Sequence, residues 1–167
     1  MGELWQKRLM VAGFDKTFEI GRQFRNEGLS REHLQDYTQM EFYWGYANYE
    51  DSMALVEEMY KFVAKETFGK LKFKIAGQKV DLGEKWKKID YIETIKEKTG
   101  VDIINAAEDE LKNKLKSLKI KYDNDLAKVR LIDMLWKHVR KEIVGPVFLV
   151  GHPVEVSPLA KRMIDKP

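Results

Sequence analysis

The stretch TFEIGRQFRNEGLSREHLQDYTQMEFYWGYANYED, Thr17 to Asp51, decides how the chain is read. Apolar and polar residues alternate on both sides of a polar segment, Gly28 to Asp36, with the period of two that half-buried strands show. On the first strand Phe18, Ile20 and Phe24 share one face, and Glu19, Gln23, Arg25 and Glu27 share the other, because successive side chains of a strand leave opposite faces. On the second, Met40, Phe42 and Trp44 oppose Tyr37, Gln39, Glu41 and Tyr43. Paired as an antiparallel hairpin, the strands give a hydrophobic slab on one side. The other side carries Arg25, Glu27, Glu41 and two tyrosines, a surface suited to a ligand with both charge signs.

Outward from this hairpin, Glu3 to Val11 reads as a short helix stopped by Gly13, with Glu3 complementing the helix dipole in the first turn. Asn48 followed by Asp51 resembles a capping box with Asp in place of the usual Glu. Val56, Met59, Tyr60 and Val63 then recur on one side of a packing helix, with Leu55 and Phe62 beside them, until Gly69 ends it. Leu71, Phe73 and Ile75 before Ala76-Gly77-Gln78, with Val80 and Leu82 after, predict a small hairpin. Trp86 to Gly100 reads as a short helix through Ile89, Ile92 and Ile95. Two longer helical stripes follow, Ala107-Leu111-Leu115-Leu118 and Leu126-Val129-Ile132-Leu135-Trp136-Val139, separated by the turn and capping residues Asp123-Asn124. Val147 to Val150 is an apolar run expected as a strand buried on both sides. His152-Pro153 and Ser157-Pro158 fix an irregular loop beyond it.

A chain of 167 residues, 44% hydrophobic and 34% charged, can bury one good core. No flexible linker or repeat divides it, so the pattern predicts a single α+β domain, a mostly antiparallel sheet flanked by helices. No apolar run is long enough to span a bilayer and no secretory leader is visible at Met1, which leads to the expectation of a soluble, cytoplasmic protein without membrane contact. The absence of cysteine excludes disulfides and thiolate metal sites, and three dispersed histidines have no ligand spacing, so no structural zinc and no metal-ligating residue in this chain are expected. A net charge of +3 permits contact with nucleic acid without arguing for it. The richest basic run, Lys112, Lys114, Lys116, Lys119 and Lys121, reads as the solvated face of an amphipathic helix, because carboxylates interleave with it.

Phe24-Arg25-Asn26-Glu27, a loop with His33, and then Thr38-x-Met40-Glu41-Phe42-Tyr43 resemble motif 2 of the class II aminoacyl-tRNA synthetases, and within that class the lysyl-tRNA synthetases. Glu3-Leu4-x-x-Lys7-Arg8-Leu9 and Gly13-Phe14 extend the likeness upstream. Gly145-Pro146, His152-Pro153 and Glu155 to Lys161 extend it downstream. The resemblance implies a partial catalytic domain over residues 1–167, with a helical and hairpin insertion at about 70–144. It also implies that motif 1, motif 3, the magnesium-holding acidic strand and the anticodon-binding domain lie outside this chain. The loop departs from the family, with His33-Leu34-Gln35-Asp36-Tyr37 where His-Asn-Pro-Glu-Phe is usual.

Chemistry can then be assigned to the hairpin. Activating an amino acid with ATP needs a cation at the α-phosphate, where negative charge and crowding grow during attack, and the planar fork of Arg25 supplies bidentate contact with oxyanions. Arg25 is thus the candidate catalytic residue. By resemblance, Asn26, Glu27, His33, Leu34 and Tyr37 join Arg25 in binding ATP, with Glu27 accepting from the adenine amino group and Tyr37 stacking on the base. The resemblance also implies that Glu3, Glu41 and Tyr43 bind the lysine substrate. A carboxylate facing a long cationic side chain selects it, because a neutral competitor leaves the acid unpaired. Arg25 with Glu27 as an ordinary surface ion pair would be worth only about 0–1 kcal/mol. The implied substrates are ATP and L-lysine, with tRNA(Lys) as acceptor, Mg2+ for the complete enzyme with its ligands elsewhere, and a homodimer whose usual dimer motif is absent here. The chain alone is expected to have little or no activity. The alternatives are a non-catalytic lysine- or ATP-binding or protein-interaction module derived from the synthetase, and a paralogue that lysylates a protein.

Overall fold

The alternation in the hairpin stretch becomes a two-stranded antiparallel ribbon, β1 (Lys16–Phe24) and β2 (Asp36–Trp44), in the computed structural model, which describes residues 2–26 and 33–163. The register runs from Lys16 opposite Trp44 to Phe24 opposite Asp36. One further rung forms where the Arg25 amide donates to the Gln35 carbonyl at 2.9 Å. Directly opposed residues of an antiparallel pair share a face. Thr17, Glu19, Gly21 and Gln23 therefore lie with Tyr43, Glu41, Gln39 and Tyr37, while Phe18 and Ile20 lie with Phe42 and Met40. This is the division that the alternation predicts.

The chain divides into two compact units, Met1–Leu55 and Val56–Pro167. In the first, helix α1 (Glu3–Val11) lies along the polar side of the ribbon. Its buried Gln6 accepts from the Thr17 hydroxyl at 3.2 Å, and Met10 reaches the same hydroxyl. The apolar side is open, with Phe18 71%, Ile20 65% and Phe24 69% exposed. Helix α2 (Tyr49–Phe68) begins in this unit at the expected capping box. Asn48 Oδ1 accepts from the amides of Glu50 and Asp51 (2.7 and 3.1 Å), and Asp51 returns the bond by accepting from the Asn48 amide at 2.8 Å. The shorter Asp serves because its carboxylate still reaches back three residues. The expected packing stripe of α2 is less covered than its pattern implies. Ala64 is its one buried residue among those described, and Phe62 and Val63 stay exposed because no described element lies over them.

In the second unit, β3 (Lys72–Ile75) and β4 (Gln78–Asp81) form the small hairpin around Ala76 and Gly77, both at positive φ as a two-residue primed turn requires. The segment Trp86 to Gly100 is not one helix. Its first part is strand β5 (Lys87–Asp90), and helix α3 (Tyr91–Thr99) follows. The cause is Asp90, whose side chain accepts from the amides of Ile92 and Glu93 (2.9 and 3.1 Å) and so fixes the helix start at Tyr91. The residues before it are left extended and pair in parallel with β6 (Val147–Val150). Strand β6 is half-buried rather than buried on both sides, since its sheet has only two strands among the described residues. Gly151, directly after it, has φ +68, and a Cβ there would stand 2.3 Å from Asp90 Oδ2.

Helices α4 (Glu108–Ser117) and α5 (Lys128–Val139) complete the architecture, which is α+β with two antiparallel pairs and one parallel pair of strands. Asp123-Asn124 does not cap α5: the helix starts after Ala127, with no side-chain cap. The core gathers Tyr91, Ile95, Leu111, Leu115, Leu131 and Leu135, each 1% exposed or less. Its central member on α5 is Leu131, which the expected stripe left out in favour of Val129.

Two substitutions should separate packing from polar satisfaction in this core. Leu131→Ala removes a fully buried side chain and should cost about 2–5 kcal/mol. Burial, then Asp133, pushes the Tyr91 phenol up to about 12, and its buried hydroxyl has no hydrogen-bond partner among the described residues. Tyr91→Phe keeps the ring against Trp136 and His152 (centroids at 4.8 and 5.2 Å) and should leave stability unchanged or raise it by up to about 1 kcal/mol. Urea unfolding of the two variants checks both values.

Candidate functional site

The register brings the predicted lysine-binding residues together. Glu41 and Tyr43 stand two residues apart on the polar side of β2, and the Tyr43 hydroxyl donates to Glu41 Oε1 at 3.3 Å. Glu3 comes to the same place from the first turn of α1. Its carboxylate accepts from Lys7 Nζ at 2.6 Å, and that ammonium lies 6.0 Å from the centroid of the Tyr43 ring. Lys7, hydrogen-bonded to it, holds the Glu3 carboxyl below its ordinary value, with Tyr43 and Arg25 adding to the effect. Burial, and then the Glu3 charge, push the Tyr43 phenol up. Glu3, Lys7, Arg25, Glu41 and Tyr43 thus form one electrostatic cluster.

The predicted nucleotide residues are placed less completely. Arg25 follows β1 with the same face parity as Gln23, since its amide is paired to Gln35 across the ribbon. Tyr37 is half-buried opposite Gln23 on that face. Asn26, His33 and Leu34 are exposed beyond the strands, Leu34 by 73%. Glu27 lies outside the described residues.

Two members of the face were not singled out as site residues. Glu19 is directly opposite Glu41, and a Cβ at Gly2 would overlap its carboxylate, so α1 seats over it. Lys7 is the ion-pair partner of Glu3 one helical turn on. The period-two parity already signals Glu19, and the i, i+4 spacing signals Lys7. Among the described residues of this face, the carboxylates of Glu3, Glu19 and Glu41 outnumber the cations Lys7 and Arg25 by one. Opposed like charges are unfavourable in a ribbon.

A family model described as tRNA synthetases class II (D, K and N) matches residues 2–167. The chain belongs to this family. Among curated relatives, it is 42% identical over 167 residues to a lysine–tRNA ligase of Thermotoga maritima, with 99% of the chain and 33% of the relative covered. It is 41% identical over 165 residues to the lysine–tRNA ligase of Thermosipho africanus, with 99% and 33% covered. It is 40% identical over 167 residues to that of Roseiflexus castenholzii, with 99% and 34% covered. The chain spans about a third of the length of these curated relatives.

Membership of the class II synthetases makes ATP the family's substrate and magnesium its expected ion. Among the described residues, no three histidine, cysteine or carboxylate side chains group together to hold a metal ion. No described helix is long and apolar enough to cross a membrane.

The Glu3–Lys7 pair carries a pH signature. A carboxyl whose value is lowered on folding stabilises the fold above the ordinary carboxylate value, about 4.3, and loses that contribution as pH falls through its own lower value. Side-chain carboxyl 13C titration should place Glu3 below the ordinary range. Lys7→Met should return it upward.

Proposed function

We propose that this chain supplies the motif 2 hairpin and the lysine-selecting acids of a lysine–tRNA ligase, which activates lysine with ATP and passes it to tRNA. The observation that carries the reading is the register of β1 and β2, with Arg25 sharing the side of the ribbon that presents Glu41 and Tyr43. The names of the relatives support it.

In this reading Arg25 acts on the α-phosphate, with its guanidinium neutralising charge that grows as the lysine carboxylate attacks. Asn26, Glu27, His33 and Leu34 border the nucleotide, and the Tyr37 ring takes the adenine. Glu3, Glu41 and Tyr43 receive the ammonium groups of lysine, and the carboxylate excess of the face supplies the selectivity. An uncharged analogue would leave these acids without a counter-ion in a partly desolvated site. Residues 70–144 form an insertion within a single catalytic domain, the acceptor is tRNA(Lys), and the assembled enzyme is a cytoplasmic homodimer.

Calorimetry with L-lysine and ATP tests the proposal. Glu41→Gln should weaken lysine binding about tenfold to a hundredfold, the value of one hydrogen bond to a charged group, and leave ATP binding unchanged. Arg25→Ala should weaken ATP binding without touching lysine. Norleucine, which keeps the chain length but lacks the ε-ammonium, should not bind. Equal binding of norleucine and lysine would overturn the assignment of Glu41 and Tyr43. Lysine and ATP binding without ATP–pyrophosphate exchange would mark a binding module rather than a catalyst.

A further inference from the structure

One concavity is lined entirely by residues of the second unit. It is a cleft of about 610 Å³ walled by the β3–β4 hairpin, the approach to β5 and the turn Val144–Val147. That volume is within the usual range of ligand sites, about 300–1,000 Å³. Aromatic and basic residues together make up nearly half of its lining. Phe73 and Trp86 line it together with Lys72, Lys79, Lys85 and Lys87, while Asp81 and Glu84 supply the only carboxylates.

Charge is concentrated here to a degree that the whole-chain balance hides. Residues 70–88 hold seven lysines against Asp81 and Glu84, a net +5, whereas the full chain is only +3. Among the described residues, Lys72 is the one cleft lysine with a carboxylate within ion-pair distance, Asp81 at 3.1 Å. Lys79 and Lys87 thus present their charge to the cleft and to solvent, while Lys85 lies near enough to Glu57 to help lower its carboxyl. The expected basic run on α4 is different, because its Lys112 is engaged by Glu108 and its first turn is acidic.

The aromatic side chains are held in place. Trp86 packs against Phe148 with centroids 5.2 Å apart and meets the edge of Tyr60 at 5.5 Å, and its amide is bonded to Glu57. Phe73 is braced edge-on by Phe68 at 5.6 Å. Fixed rings beside an excess of lysines over carboxylates are the two elements that bind an unpaired polynucleotide strand. The lysines follow the phosphates, and the rings accept bases of any identity. Lysine is a point charge without the arginine fork, which suits a backbone rather than a particular base edge. A duplex has its bases stacked internally and would leave the rings unused.

We propose that this cleft binds a single-stranded RNA segment through its phosphodiester backbone, with Phe73 and Trp86 as the stacking surface. No residue of the ribbon lines it.

Fluorescence anisotropy with a labelled oligouridylate tests this. Wild-type protein should bind, with a log K against log salt slope of about −2 for three phosphate contacts. Lys79→Glu/Lys85→Glu should weaken binding roughly tenfold or more. A control of equal charge change, Lys116→Glu/Lys121→Glu, should alter it by less than about threefold. Equal losses in the two variants would overturn the proposal, since binding would then follow net charge alone. So would full displacement by an equimolar duplex RNA or by a poly-glutamate peptide. Displacement by UTP at the oligonucleotide's own concentration would reassign the cleft to free nucleotides. Quenching of tryptophan fluorescence by the oligouridylate that is lost in Trp86→Phe would support the stacking assignment, and persistent quenching in that variant would refute it.

Discussion

The register of β1 on β2 is the constraint on which the candidate site depends. Glu19 opposite Glu41 and Thr17 opposite Tyr43 place the polar set on one side of the ribbon and Phe18 and Ile20 on the other. A slip of one residue would move every side chain of one strand to the wrong face, so the pairing is a specification of the whole surface at once. Helix α1 then settles on that surface through Gln6 and Met10, which carries Glu3 and Lys7 to β2. The site is thus the product of one ladder and one docked helix.

The bulk numbers describe neither charged surface of the molecule. A net charge of +3 is the small remainder of a carboxylate-rich face on the ribbon and a lysine-rich hairpin in the second unit. Each is defined by which elements are brought side by side. The acids of the ribbon come from three segments, and two of them stand directly across a strand pair despite their repulsion. Such an opposition of like charges is unfavourable in a strand pair.

What was legible in the sequence was mostly local. The alternation in Thr17–Asp51, the Asn48–Asp51 cap, the Ala76-Gly77 turn and the stop at Gly100 are written in neighbouring residues, and each is found in the structure. Strand β5 was not legible, because four residues leading into a helix share its isoleucine spacing and their partner, β6, is remote along the chain. Leu131 was passed over because stripes on a helix are ambiguous by one position until the neighbours are known. The openness of Phe18, Phe24 and Phe62 is also a tertiary fact, since an apolar pattern states what a side chain prefers and not what covers it. For the site, face parity identified Arg25, Glu41 and Tyr43 as companions and i, i+4 spacing signalled the Glu3–Lys7 pair, but the meeting of that pair with Tyr43 required the docked helix.

The proximity of Gly151 to Asp90 makes two positions remote along the chain structurally dependent on each other. Asp90 terminates one strand and opens a helix, and it has room to do so because residue 151 has no side chain. Any replacement at 151 would displace the carboxylate from the amides it serves and also strain a left-handed backbone. Drift at the end of β6 is therefore read out at the start of α3. The two sites should change together across relatives or not at all.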